Sequence, residues 1–150
     1  MLKAVKFFYK SINNKEFISP YMSLYYKMNT YYSVNSPLII CHNGFHFPCN
    51  LKGVTYWAKE YFSDFLIVCV IEIQGELIFG RSSYKAAVEK MRIIDTIEIP
   101  RIANNKRESI RALLRELRLN HPELLYYHHD FLNKFTNYDF HSKKAILNFE

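Results

Sequence analysis

The pattern of apolar and polar positions over the first hundred residues predicts a protein dominated by β-strands. An apolar, aromatic string at residues 2–9 predicts a first strand. The β-branched run FLIVCVIEI at 65–73 predicts a central strand that is covered on both faces. Gln74-Gly75 follows it and predicts a tight turn into a partner strand at 76–80, so this part of the chain is interpreted as a hairpin.

Further short elements are predicted on either side of this hairpin. Asn50 is a suitable N-cap for a helix over 51–62, where apolar residues recur at helical spacing. The segment YKAAVEKM at 84–91 predicts another helix. LIIC at 38–41 and IIDTIEI at 93–99 predict strands, the second ended by a proline.

The last third of the chain changes to a helical pattern. NNKRESIRALLRELRLN predicts a capped helix that ends near Asn120, and HPELLYYHHDFLNKF predicts a second helix with Pro122 near its start. We therefore predict the α+β class: a mixed, largely antiparallel sheet with one or two packed helices, followed by a C-terminal helical pair. The chain is interpreted as a single domain, 1–150, with a β-rich body at 1–100 and a helical extension at 101–150.

Composition and charge add a class of partner to this fold prediction. With 49% hydrophobic and 23% charged residues the chain has the balance of a folded domain, and its net charge of +6 indicates an anionic partner. Part of that charge falls on one predicted helix, where four arginines at spacings of four, four and three share a flank. They are Arg107, Arg111, Arg115 and Arg118. One interpretation of this stripe is a site that binds phosphates or an acidic protein surface. The alternative is a solvated helix flank whose arginine side chains cover apolar edges.

The segment CHNGFHFPCN, at 41–50, is the clearest candidate for site chemistry. Cys41, His46 and Cys49 are possible metal ligands, but their spacing does not match the paired ligands of structural zinc, and a fourth would have to come from Cys69 or a distant histidine. Cys41 and His46 could also meet as nucleophile and base, although no third catalytic residue is evident. A strand-turn-strand corner around an Asn-Gly turn is the simplest interpretation, and we predict neither a metal nor a cofactor.

Cysteine usage and the absence of targeting signals predict a compartment. The three cysteines form no CxxC pair, no leader-like segment opens the sequence, and the longest apolar run is too short to span a bilayer. A reducing, cytoplasmic environment is therefore expected, with no membrane partner.

Several local strings together resemble a family of small, uncharacterised domains found in bacteriophages and prophages. They are the strand KAVKFFYK, the motif C-x-x-G-F-H-F, an aromatic pair in the following helix, and an apolar strand that ends in an x-E-I-x-G turn. The resemblance covers residues 3–99, and its motif residues are Cys41, Gly44, Phe45 and His46. It brings no assigned activity. It implies a small accessory protein that engages a host protein or nucleoprotein complex, such as a defence complex, in the host cytoplasm.

A second resemblance points to enzymes. A glycine-aromatic strand that feeds a helix and then an apolar strand is similar to the middle of small ADP-ribosyltransferase-like domains. That similarity implies an NAD-binding cleft built by His46 and Tyr56 with a late glutamate, Glu72 or Glu98. The first strand lacks the His-Gly or Arg-Gly of those transferases. We therefore favour a binding protein that uses the basic helix; the alternatives are this enzyme, a nucleic-acid-binding protein or a structural virion protein.

Overall fold

The computed structural model describes residues 2–13, 15–20, 24–80, 84–125 and 144–147, and these form an α+β fold, as predicted. Its strands are β1 (Lys3–Lys10), β2 (Phe17–Ile18), β3 (Tyr25–Tyr26), β4 (Tyr31–Ser33), β5 (Phe45–Pro48), β6 (Leu66–Phe79), β7 (Lys85–Ile97) and β8 (Lys144–Leu147). Its helices are α1 (Leu51–Tyr61), α2 (Lys106–Asn120) and a 3₁₀ turn (Pro122–Leu124). The strand order is β3-β2-β1-β6-β7-β4, with β5 also on β7 and β8 also on β6. Every pairing within these ranges is antiparallel.

The centre of the sheet is a long pairing of β6 with β7, and the hairpin predicted at Gln74-Gly75 is wrong. β6 continues through this point, and two of its residues there oppose a single residue of β7: Gln74 pairs with Lys90 and Leu77 with Val88. Gly75 has φ +82°, the left-handed conformation that a glycine supplies equally well to a turn or to a bulge. The glycine was therefore recognised correctly as a backbone irregularity, but the irregularity is a β-bulge.

The helix predicted at 84–91 is also wrong, because these residues form the first half of β7. Lys, Ala and Glu favour helices in isolation. Here β6 pairs along one edge of the segment, while β5 and β4 pair along the other. Ala86, Ala87 and Val88 are all fully buried. Hydrogen bonding on both edges and burial on both faces override the local preference.

The two α-helices begin where the sequence predicts. The side-chain oxygen of Asn50 accepts the Gly53 N–H at 3.1 Å and caps α1, and that of Asn105 accepts the Glu108 N–H at 3.1 Å and caps α2. The predicted second C-terminal helix begins as the 3₁₀ turn and reaches an extended residue at Leu125. The rest of that prediction lies outside the described residues.

The sheet separates two hydrophobic clusters. Phe8, Phe47 and Ile71 belong to the inner cluster, where β5 closes over the face of β1 and β6. The outer cluster is formed by the opposite face of the sheet together with the buried side of α2, which contributes Leu113 and Leu117. The helix α1 contacts both clusters through Trp57, so it lies where the two layers meet. No helix in the described part of the chain is long and apolar enough to cross a membrane.

Candidate functional site

The segment between Leu38 and β5 is a loop, so the strand predicted at 38–41 is wrong. Ile39 forms an isolated bridge with Asn43, and the N–H groups of His42 and Asn43 both donate to the Ile39 carbonyl. Cys41 has a positive φ of 68°, which a strand does not allow. The β-branched string suggested a strand, but the chain turns at residues 40–42, ahead of the Asn43-Gly44 pair at which the turn was predicted, and this leaves no room for a strand.

His46, on β5, holds this loop in place. Its Nε2 accepts the backbone N–H of Cys41 at 2.8 Å, so that Nδ1 carries the proton and donates to the Gly44 carbonyl at 3.1 Å. Burial lowers the pKa of His46 to about 4, helped by the nearby charges of Lys6 and Lys85 and opposed by the bond to Gly44. The imidazole is therefore neutral at pH 7 and occupied at both nitrogens.

The other motif residues shape the same corner. Gly44 has φ +124°, and a β-carbon there would lie 3.0 Å from the Ala87 side chain and 3.1 Å from that of Leu38. Phe45 is buried in the inner cluster. The exposed thiol of Cys41 accepts a hydrogen bond from Lys85 Nζ at 2.9 Å. Each motif residue thus has a structural task in the loop.

The cysteines and His46 do not form a metal centre in this arrangement. Cys49 and Cys69 are buried, and burial raises the pKa of both thiols, which keeps them protonated. Cys41 is exposed and points to Lys85. No group of three or more histidine, cysteine or acidic side chains within the described ranges is placed to hold a metal ion.

The residues implied by the transferase resemblance do not share one cleft. His46 and Tyr56 line a common cavity, but neither Glu72 nor Glu98 is among its described lining residues. Glu72 accepts a hydrogen bond from Arg92 at 2.6 Å and forms an ion pair with it. Glu98 is exposed beyond the end of β7.

The cavity beside His46 is called the lysine pocket here. Its volume is about 350 Å³. The described lining includes the side chains of Lys6, Lys85, Tyr26, Tyr56 and Trp57. Two lysines thus line an aromatic cavity between β1, α1 and the motif loop.

Lys6 is the most unusual residue of this pocket. It lies within β1, and its Nζ donates to the His46 carbonyl and sits 5.5 Å from the centre of the Phe8 ring. Burial lowers its pKa to about 8, partly offset by Cys69 on the neighbouring strand. Sequence reasoning missed Lys6. The signal was present, because Ala4 and Phe8, the neighbours of Lys6 on the same face of β1, are both apolar and buried.

A second candidate site lies between the two helices and is called the basic groove. It has a volume of about 580 Å³. Its described lining is Thr55, Lys59, Lys106, Arg107, Ile110, Arg111 and Leu114. The Nζ of Lys106 donates to the Lys59 carbonyl at 2.7 Å, and this bond joins the start of α2 to the end of α1.

The arginine stripe divides at this groove. Arg107 and Arg111 line it, and Arg111 also forms an exposed ion pair with Glu108 at 3.0 Å. Arg115 and Arg118 are exposed farther along α2 and are not among the lining residues. The sequence pattern therefore identified half of the basic lining, and the missing half is Lys59 and Lys106, which only the packing of α1 on α2 brings close.

Comparisons of the chain with models of protein families, with curated proteins and with solved structures find no match. Any function proposed for the chain therefore rests on the geometry of the basic groove and the lysine pocket.

Proposed function

We propose that this protein acts by binding, and that the basic groove holds an acidic segment of a partner protein. The observation that carries the proposal is the convergence of four cationic side chains from two helices around an apolar floor. The host factor implied by the phage resemblance would present such a segment in the cytoplasm. Catalysis forms no part of this proposal.

The charges of the groove favour an anionic partner. Arg107 forms no ion pair within the described part of the chain, and no carboxylate is among the described lining of the groove. A single exposed ion pair contributes only about 0–1 kcal/mol. Four cations around one concave surface act together, because their fields add and attract an oppositely charged segment before contact.

The floor of the groove favours a protein over a nucleic acid. It is formed by Ile110 and Leu114 with the methyl-bearing side chain of Thr55. A phosphate backbone has no apolar group to bury there, whereas an acidic helix or extended peptide with leucine or phenylalanine side chains does. We therefore expect the partner's segment to carry its acidic residues on one face and its apolar residues on another.

A comparison of two probes tests this proposal. One is a synthetic peptide with glutamates on one helical face and leucines on the other, and the second is an oligothymidylate of equal charge. We expect saturable binding of the peptide, weakened roughly tenfold or more by Arg107→Glu/Arg111→Glu, since each lost charged contact is worth about 1 kcal/mol or more. Isothermal titration calorimetry at low and moderate salt measures both affinities.

The control is a double variant of the same helix with the same charge change. Arg107→Glu/Arg111→Glu and Arg115→Glu/Arg118→Glu each remove two positive charges and add two negative ones, which takes the net charge from +6 to +2 in both. The first pair lines the groove and the second does not. Equal loss of peptide binding in the two variants would contradict a groove-specific site. Tighter binding of the oligonucleotide, lost only in the groove variant, would identify a nucleic-acid partner instead.

A further inference from the structure

The lysine pocket contains positive charge without a matching negative charge. Lys6 and Lys85 both line it, and no carboxylate is among its described lining residues. Both lysines lie close enough to His46 for their charges to lower its pKa. A desolvated ammonium group is stable when an anion pairs with it, so the pocket lacks a group of the opposite charge.

We propose that the lysine pocket binds a small organic anion with a planar, apolar body, and that Lys6 and Lys85 hold its acidic group. This site is distinct from the basic groove, because no described residue lines both. The ligand class is a compact carboxylate or phosphate ester on an aromatic ring. Carboxylate and phosphate are the groups that lysine ammonium binds, as a compact point charge.

The volume of the pocket and its aromatic side chains indicate the size and shape of the apolar part of the ligand. A cavity of about 350 Å³ lies at the lower end of the range for small-molecule sites, roughly 300–1,000 Å³. Tyr26, Tyr56 and Trp57 provide aromatic walls on which a planar ring stacks. Phosphate or sulfate alone would leave these walls without a partner, so an aromatic acid fits better than an inorganic ion.

The polar side chains that line the pocket are already oriented by the protein. His46 is fixed by its bonds to the Cys41 N–H and the Gly44 carbonyl, and its own carbonyl accepts from Lys6. The Lys85 ammonium is held against the Cys41 thiol at 2.9 Å. An incoming anion thus meets two donors that the protein already positions beside His46.

Fluorescence of Trp57 tests the proposal directly. It is the single tryptophan of the chain and lines the pocket, so its emission reports on occupancy. Benzoate and phenyl phosphate are the probes, and benzamide is the neutral analogue of the first. We expect a saturable change in emission with at least one anionic probe, and roughly tenfold or weaker affinity for benzamide, because a charged hydrogen bond is lost.

Three variants complete the experiment. Lys6→Met and Lys85→Gln should each weaken binding of the anionic probe roughly tenfold or more, whereas Lys15→Gln, an exposed lysine in the turn after β1, should leave it unchanged. Urea unfolding checks that each variant is folded, and Lys85→Gln provides the test if Lys6→Met does not fold. The proposal is overturned if neither anion produces a saturable change, if benzamide binds as well as benzoate, or if both pocket variants bind like the wild type.

Discussion

Lys6 is a half-buried lysine on β1, and it lines the lysine pocket. Its only hydrogen-bond acceptor within the described residues is the His46 carbonyl, and the ring of Phe8 supplies a weaker cation–π contact. Burial lowers the pKa of Lys6 from 10.5 to about 8, so the charged form is less stable in the fold than in the unfolded chain. A pKa difference of this size corresponds to roughly 3 kcal/mol of free energy that disfavours the charged form of Lys6 in the fold.

Replacing Lys6 with methionine should therefore stabilise the protein at neutral pH. We expect a gain of about 1–3 kcal/mol in the free energy of unfolding at pH 7 for Lys6→Met, because an unpaired buried charge is exchanged for an apolar chain. Below pH 8 Lys6 is charged in both the folded and the unfolded protein, so the full cost of burying its charge lowers the free energy of unfolding. Between pH 8 and 10.5 Lys6 loses its proton in the fold, and this cost disappears as the pH rises. The gain should accordingly shrink at pH 10. Urea unfolding at both pH values measures this, with exposed Lys15→Met as control, and a less stable Lys6→Met at pH 7 would refute it.

His46 should give the protein a measurable dependence on acid. The pKa of His46 in the fold, about 4, lies below the usual 6.5. Its contribution to the free energy of unfolding is therefore complete above pH 6.5 and is lost as the pH falls toward 4. The loss amounts to roughly 3 kcal/mol. His46→Gln should be less stable at pH 7, by about 1–3 kcal/mol, because it disturbs the bonds to Cys41 and Gly44. It should also lose less stability between pH 6.5 and 4. Parallel pH profiles of wild type and variant would rule out this role.

Among the elements, β6 has the least expected form, since it passes through a glycine without turning. At Gly75 a β-carbon would lie 2.5 Å from a carboxylate oxygen of Glu89, and that same oxygen accepts the Glu76 N–H at 2.9 Å. The bulge therefore depends on a residue without a side chain and with φ +82°. The bulge also sets the register with which the C-terminal end of β6 pairs with the N-terminal end of β7.

Gly75→Ala should destabilise the protein by about 1–3 kcal/mol, since alanine is strained at this φ and displaces the Glu89 carboxylate. Gly80→Ala is the matched control, because Gly80 directly follows β6. An added β-carbon there meets only the side chain and carbonyl of Lys85, at 3.2 Å or more. The control should change stability by less than about 1 kcal/mol. Equal effects of the two substitutions on the urea midpoint would show that the bulge conformation is not the determining factor.

Local signals explain which elements could be predicted from the sequence. The caps Asn50 and Asn105 act on the first turn of their own helices, and the apolar faces of α1 and α2 repeat at helical spacing, so both helices were predicted. The segment at 84–91 carries the same helix-forming residue types, and only its partners β4, β5 and β6 make it a strand. The strand β8 was missed for the same reason, because the short apolar string at 144–147 acquires its conformation by pairing with β6.

At the scale of the whole molecule, α1 separates the two candidate sites. Thr55 and Lys59 face the basic groove, whereas Tyr56 and Trp57 face the lysine pocket. One helix thus presents charge to an outer surface and aromatic rings to an inner cavity. Binding at the groove and binding in the pocket can therefore be tested independently, with variants that leave the other site intact.

The sequence pointed to a part of each site: the arginine stripe at the basic groove, and His46 with Tyr56 at the lysine pocket. Four arginines at helical spacing share a flank in any helix, so Arg107 and Arg111 could be singled out before the structure was known. Lys59 is almost fifty residues away from Lys106 in the chain, and nothing in either segment indicates that they approach. The same holds for Lys6 and Lys85, which tertiary packing alone brings close to His46.

The central claim, an acidic protein segment in the basic groove, is tested most directly by photo-crosslinking in cells. A benzoylphenylalanine replaces Leu114, which lines the groove, or Leu119, which is 64% exposed on the same helix outside it. We expect a nuclease-resistant protein adduct from position 114, absent from position 119 and abolished by Arg107→Glu/Arg111→Glu. Identical adducts from both positions, or an adduct from position 114 that survives this charge reversal, would contradict the proposed function.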